Sequence, residues 1–284
     1  MDENILPKLL DQLSKIHIVK PWKKGGQKTV YKARHTDFGD IVLKLVYPSN
    51  AEEKERVLRE VDIAASLESR LFSKLYDFGE FVYKDQCVLY IVEELLPGKN
   101  LREIINSYYP KPIPINETHL IMNALMEALT ITEQRNLVHR DIKPENIIVC
   151  TDRVVLIDFG IARNLDLTSI TNSFAIFGPL TPGYSPPEQI HNEKRKISIR
   201  TDMFSLAVVF YELLTGNNPY IIGTKSAGEC IQNTLTIQPR ALASYGHHSS
   251  FDNFIFQCLQ KSCHRRPINM IQAMELYNLI EWEA

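Results

Sequence analysis

Two short polar clusters bracket an apolar hairpin near the middle of this chain, and their spacing constrains the fold more than any other feature. The first is His139-Arg140-Asp141-Ile142-Lys143-Pro144-Glu145-Asn146; the second, Asp158-Phe159-Gly160, opens twelve residues beyond Asn146. Between them Ile147-Ile148-Val149-Cys150 and Val154-Val155-Leu156-Ile157 read as two short strands, joined by a turn at Thr151-Asp152-Arg153. A hairpin of that length returns Asp158 to the side of Asn146. Two oxygen donors then converge where a hard cation can sit, with water completing an octahedron. Asp-Phe-Gly alone is an ordinary strand-ending turn, and its distance from an uninterrupted polar octapeptide is what gives it chemical weight. Together the clusters hold a carboxylate to deprotonate a hydroxyl, an ammonium to screen a moving phosphoryl group, and oxygen donors for Mg²⁺.

Composition narrows the setting. A chain of 284 residues with 44% hydrophobic content can bury a sizeable core spread over two lobes. A formal net charge of −2 gives no reason to expect bulk nucleic-acid or anionic-membrane binding. The five cysteines, at 87, 150, 230, 258 and 263, form no C-x-x-C pair and read as thiols of a reducing cytoplasm. Cys258 and Cys263 are close in sequence but lack the partners of a metal site. The most apolar stretch, Met203 to Leu214, is interrupted by Ser205, Tyr211 and Glu212. It falls short of the roughly 20 apolar residues a membrane span needs and reads as a buried helix. Asp2 and Glu3 stand where a signal peptide carries positive charge. The expectation is one cytoplasmic catalytic domain with no membrane partner.

Around the hairpin, periodicity supplies the other elements. Ile5, Leu6, Leu9, Leu10, Leu13 and Ile16 recur at helical spacing, so residues 1–16 form a helical extension. Such a helix packs on the domain that follows or offers a surface for a partner or second copy. Ile41-Val42-Leu43-Lys44-Leu45-Val46 reads as a strand with a lysine inside an apolar run, where an unpaired ammonium would be expensive. A helix from about Ala51 to Glu68 follows and offers Glu53, Glu55 and Glu60 as carboxylates. Glu117 to Gln134 has the period of a long helix, Ile161 to Leu180 is a polar segment, and Asn269 to Trp282 is the last helix.

These motifs resemble those of the protein kinase superfamily, specifically the eukaryotic-type (Hanks-type) serine/threonine kinases that also occur in bacteria. The resemblance runs from about Ile18 to about Tyr277. It implies an α+β bilobal fold: the helical extension over 1–16, a small antiparallel-sheet lobe over 17–96 and a mainly helical lobe over 97–284. It implies ATP and Mg²⁺ (with Mn²⁺ an alternative), Asp141 as catalytic base, Lys143 as a screen for the γ-phosphate, and Asn146 and Asp158 as metal ligands. Lys44 would anchor the α/β-phosphates beside a helix glutamate, for which Glu60 in Arg59-Glu60-Val61 is the best match. Gly25, Gly26 and Val30 belong to the loop and strand covering the nucleotide, while Glu94 C=O and Leu96 N–H would meet the adenine edge. In Thr181-Pro182-Gly183-Tyr184-Ser185-Pro186-Pro187-Glu188, Thr181 would bond to Asp141 and Lys143. Glu188 would pair with Arg266, and Asp202 would accept backbone N–H bonds from the octapeptide. Arg140 would meet a phosphorylated residue of the polar segment, with Thr168, Ser169, Thr171 and Ser173 as candidate acceptors. Lys143, two positions after the base, favours serine/threonine over tyrosine acceptors in a protein substrate, and autophosphorylation would bring copies of the chain together.

The sequence departs from the family in two places. In Lys23-Lys24-Gly25-Gly26-Gln27-Lys28, only the middle glycine of G-x-G-x-x-G stays in register, and Lys23 and Lys28 replace the outer two. Glu93 stands at the gatekeeper position, where a carboxylate must find a donor, either a nearby lysine or water. Both departures keep open a pseudokinase or scaffold that binds nucleotide weakly, and a small-molecule kinase remains a third reading.

Overall fold

The structure is a computed structural model that describes residues 5–24, 28–84, 86–159 and 180–282. Of the helical and strand residues in that range, the side chains of Ile18, Lys23, Lys24, Glu52, Arg56, Arg59 and Glu60 are not described. Gly25 and Gly26, and the candidate acceptors Thr168, Ser169, Thr171 and Ser173, lie outside the described residues. The chain divides into two compact units, one running to Pro97 and the other taking in Gly98–Phe159 and the described residues from 180 onward.

The first unit begins with helix α1 (Ile5–Gln12) and is built on strands β1 (Ile16–Lys24), β2 (Lys28–His35), β3 (Gly39–Val46), β4 (Leu75–Tyr83) and β5 (Gln86–Glu94). They form one antiparallel sheet in the order β1-β2-β3-β5-β4, with helix α2 (Ala51–Ser66) inserted between β3 and β4. Strand β3 is apolar on both faces because both are covered. Ile41, Leu43 and Leu45 share a core with Ile5 and Leu9 of α1. Val46, on the opposite face, packs with Val57 and Val61 of α2 and with Leu89 and Ile91 of β5. Helix α2 starts where Asn50 Oδ1 accepts the Glu53 N–H at 2.8 Å, while Glu53 Oε2 accepts the Ser49 N–H at 2.7 Å.

Helix α1 is shorter than its apolar period suggests. Leu13 still donates to Leu9 C=O, but the chain then turns, and Ile16, the first residue of β1, already pairs with His35 of β2. Ile16 therefore reaches the same core from a strand, where its spacing from Leu13 imitated a fourth helical turn. The helix packs on its own sheet, with Leu9 fully buried and Leu6, Leu10 and Leu13 partly so.

The second unit holds a small sheet, β6 (Gly98–Asn100), β7 (Ile147–Cys150) and β8 (Val154–Leu156), in the order β6-β7-β8. The rest is helical: α3 (Leu101–Tyr108), α4 (Ile115–Gln134), α5 (Pro187–Ile190), α6 (Ile199–Thr215), α7 (Ala227–Thr236), α8 (Ser250–Cys258) and α9 (Met270–Tyr277). Helix α6 is buried along almost its whole length and ends at Gly216, whose φ of 74° is a left-handed stop. Helix α9 ends at Tyr277 rather than continuing to Trp282. The chain after it turns so that the Trp282 indole stacks on Phe210 of α6 (5.5 Å) and on His119 of α4 (4.0 Å). No helix among the described residues is long and apolar enough to cross a membrane.

Because Leu9 is fully buried between α1 and the sheet, Leu9→Ala is expected to destabilise the protein by about 2–5 kcal/mol. Urea unfolding monitored by circular dichroism checks this, and a loss below about 1 kcal/mol would show that α1 is not part of the core.

Candidate active site

The octapeptide is held from beneath by α6. Asp202, fully buried in the first turn of that helix, accepts the His139 N–H at 2.7 Å and the Arg140 N–H at 2.8 Å. Burial pushes its carboxyl up to about 7, while the two N–H bonds favour the ionised form. Arg140 takes a left-handed backbone (φ 66°), which turns the chain over the clamp, and Gln189 Nε2 donates to its carbonyl at 2.9 Å.

His139 sets the next layer. Its Nδ1 accepts the Asp141 N–H at 3.2 Å, and its Nε2–H donates to Ile157 C=O, 3.1 Å away, at the end of the hairpin. Those two bonds select one neutral tautomer. Burial lowers the imidazole to about 4, only partly offset by the nearby Asp141 and Asp158 carboxylates and the Ile157 carbonyl. The ring lies 4.6 Å from that of Phe159.

Asp141 is the focus of the cluster. Its Oδ2 lies 2.8 Å from Lys143 Nζ and accepts Asn146 Nδ2–H at 3.0 Å; its Oδ1 accepts the Thr181 hydroxyl at 2.7 Å. Lys143 Nζ also reaches Thr181 Oγ1 at 3.4 Å. Asn146 Nδ2 makes a second bond to Asp141 C=O at 2.9 Å, so the amide presents nitrogen to Asp141 and keeps its oxygen for another role. Ile157 N–H donates to Asn146 C=O at 2.9 Å, which brings the two ends of the hairpin together and sets Asp158 next in line. Asp158 has a φ of 59°, a left-handed turn that aspartate tolerates better than bulkier residues. A hard cation here could draw on the Asn146 amide oxygen and the Asp158 carboxylate, with water or phosphate oxygens completing its shell.

The segment from Thr181 is anchored by a buried ion pair. Arg266 Nη1 and Nη2 meet Glu188 Oε1 and Oε2 at 2.7 and 2.9 Å, a bidentate fork. The remaining polar atoms are satisfied too: Arg266 donates to Gln260 C=O and Arg200 C=O, and Thr201 Oγ1 donates to Glu188 Oε1.

A second polar network was not legible from the motifs. Arg102 of α3 donates to Glu145 Oε1 at 2.8 Å and to Glu212 Oε1 at 2.6 Å and also bonds to the Tyr184 hydroxyl, which donates in turn to Glu212. It ties the octapeptide to α3, α6 and the Thr181 segment. Glu212 was the available signal, since a carboxylate inside an otherwise apolar buried helix has to be paired.

In the sheet unit, Lys44 is buried on β3, with Val30 of β2 and Ile91 of β5 as its cross-strand neighbours. Its Nζ lies 2.6 Å from Glu93 Oε2 on β5. Of the three candidate carboxylates on α2, Glu53 is engaged in the helix cap and Glu55 is exposed. Glu60 lies on the same helix. Glu94 ends β5, with its N–H on Lys74 C=O, and Leu96 follows in the half-buried connection.

Residues 21–277 match the family model described as the protein kinase domain. The chain is 36% identical over 203 residues to serine/threonine-protein kinase PknB of Mycobacterium leprae, covering 69% of this chain and 32% of that protein. It is 30% identical over 234 residues to the probable serine/threonine-protein kinase PknB of Lactococcus lactis, covering 78% and 36%. The chain thus spans about a third of the length of these relatives. The crystal structure of the PknI kinase domain of Mycobacterium tuberculosis superposes with a TM-score of 0.69 at 24% identity, over 94% of this chain and 96% of that one, which shows a shared fold.

Two outcomes are expected from these contacts. Glu188→Ala strands a fully buried guanidinium and is expected to cost about 3–5 kcal/mol in urea unfolding. His139 is neutral in the folded chain, so between about pH 6.5 and 4 the unfolded state binds a proton that the folded state does not, and stability falls as pH drops through that window. Asp202 acts in the opposite sense, because a raised carboxyl favours the folded state at low pH and loses that contribution as pH rises through about 7. The readout is therefore the difference between wild type and His139→Phe at each pH. Wild type should lose up to about 3 kcal/mol relative to the variant from pH 6.5 to 4, and parallel curves would show that His139 does not titrate as described.

Proposed function

The chain belongs to the protein kinase family, and on that premise we propose that it transfers the γ-phosphate of ATP to serine or threonine hydroxyls of protein substrates, with Asp141 as the catalytic base. The observation that carries this reading is the arrangement around Asp141. Its carboxylate is fixed by Lys143, Asn146 and Thr181 at 2.7–3.0 Å, on a loop whose backbone is clamped by Asp202. A carboxylate held in that way orients an incoming hydroxyl and accepts its proton as the bond to phosphorus forms. Lys143, beside it, screens the negative charge shared by nucleophile and phosphoryl oxygens.

Asn146 and Asp158 fit a hard cation: an amide whose nitrogen is already committed to Asp141, and a carboxylate at the end of the hairpin. When bound, Mg²⁺ or Mn²⁺ would neutralise phosphate charge there. Lys44 is the residue for the α/β-phosphates, with Gly25, Gly26 and Val30 covering the nucleotide and Glu94 C=O and Leu96 N–H meeting the adenine edge. Glu60 is the α2 carboxylate assigned to Lys44. Arg140 next to the base is assigned to a phosphate on Thr168, Ser169, Thr171 or Ser173, which makes modification of that segment the regulatory step. The serine/threonine preference is supported by Lys143 and by the printed names of the bacterial relatives.

Incubation with labelled ATP, Mg²⁺ and a general protein acceptor tests the assignment. Asp141→Ala is expected to lower kcat by on the order of 10²–10⁴, and Asp158→Ala to abolish metal-dependent transfer. Label that persists in both variants would refute the site, and an unlabelled wild type would favour the nucleotide-poor scaffold suggested by Lys23 and Lys28. Phosphoamino-acid analysis of the product reads the acceptor class.

A further inference from the structure

The Lys44–Glu93 pair is set by strand register. Lys44 lies opposite Ile91 and Val42 lies opposite Glu93, so Lys44 and Glu93 are diagonal neighbours on one face of adjacent strands. Both side chains are about nine-tenths buried, and their charged ends meet at 2.6 Å. A carboxylate in such a place is expensive unless it is matched, and so is the ammonium. Each therefore makes the other tolerable. On the same face Val46 packs against Val57 and Val61 of α2. A partner on β5 is joined to β3 by the hydrogen-bond ladder itself.

We propose that Glu93 is a positioning residue for nucleotide binding: from the strand next to β3 it holds the Lys44 ammonium aimed. The proposal rests on the reading of Lys44 as the phosphate-binding lysine. It gives the gatekeeper carboxylate a task in the transfer reaction, in a position otherwise suited to an apolar side chain.

The test measures MgATP dissociation constants by calorimetry and melting temperatures without nucleotide, on the full chain. Glu93→Gln is expected to weaken MgATP binding at least about tenfold while leaving the KM for the protein acceptor unchanged, and Glu93→Asp to recover most of that loss. Lys44→Met should lose a similar factor, and adding Glu93→Gln to it should produce no further loss, since the second residue acts through the first. In the melting series, Glu93→Met and Lys44→Met should each lower Tm, and the double variant should melt above both. Wild-type affinity in Glu93→Gln, or binding losses that add in the double variant, would overturn the proposal. So would a double variant that melts no higher than either single change, because the ion pair itself would then be absent. Lys44→Met binding MgATP as tightly as wild type would overturn it by removing its premise, and the melting series separates that failure from a missing pair.

Discussion

The buried carboxylate of Asp202 is the contact on which the rest of the second unit depends. Two consecutive backbone N–H groups, from His139 and Arg140, end on its two oxygens. Both are donors that no strand or helix satisfies, so the loop has one low-energy path past the start of α6. The same helix anchors other parts of the site. Thr201 bonds to Glu188, Arg200 C=O accepts from Arg266, Ser205 donates to Tyr184 C=O, and Glu212 gathers Arg102 and Tyr184. Its apolar residues pack into the core, while Asp202 reaches the octapeptide and Thr201, Ser205 and Glu212 reach the Thr181 segment. That division explains how a helix can be buried on all sides and still organise polar chemistry.

The chemistry differs between the layers above this base. Next to α6, groups are matched and dry: a neutral imidazole between a donor and a carbonyl, and a bidentate guanidinium–carboxylate fork. One turn further along the loop, Asp141 is surrounded by an ammonium, an amide and a hydroxyl on side chains that can rearrange. Fixed backbone beneath adaptable side chains is what a site needs if it must hold geometry while charge moves across it.

Much of this was legible in the sequence, because the informative residues are contiguous. The hairpin between Asn146 and Asp158 is short, β-branched and bounded by polar residues, so its closure follows from local pattern alone. Its strands fall at Ile147–Cys150 and Val154–Leu156. Helix ends were less legible. Ile16 fits the period of α1 yet belongs to a strand, and Trp282 fits the last helix yet returns to stack on Phe210. In both cases tertiary burial overrides a periodic pattern, which records that a residue is apolar and not which element delivers it. The Arg102 network was illegible for another reason: its bonded members are separated by 28 to 110 positions, and only the fold brings them together. Glu93 lay between these cases. Its need for a donor was clear from its apolar surroundings, but the identity of the donor follows from strand register.

Helix α1 lies outside the residues that match the family model, which begin at 21, yet it covers one face of the sheet. Beneath it are Ile41, Leu43 and Leu45 of the central strand. A chain trimmed to the matched residues would lose the helix and the first five residues of β1 together, leaving a continuous apolar face and a shortened edge strand open to solvent. Such a fragment would retain every residue assigned to phosphoryl transfer and still tend to self-associate. The residues that close this face of the sheet thus lie N-terminal to those that match the family model.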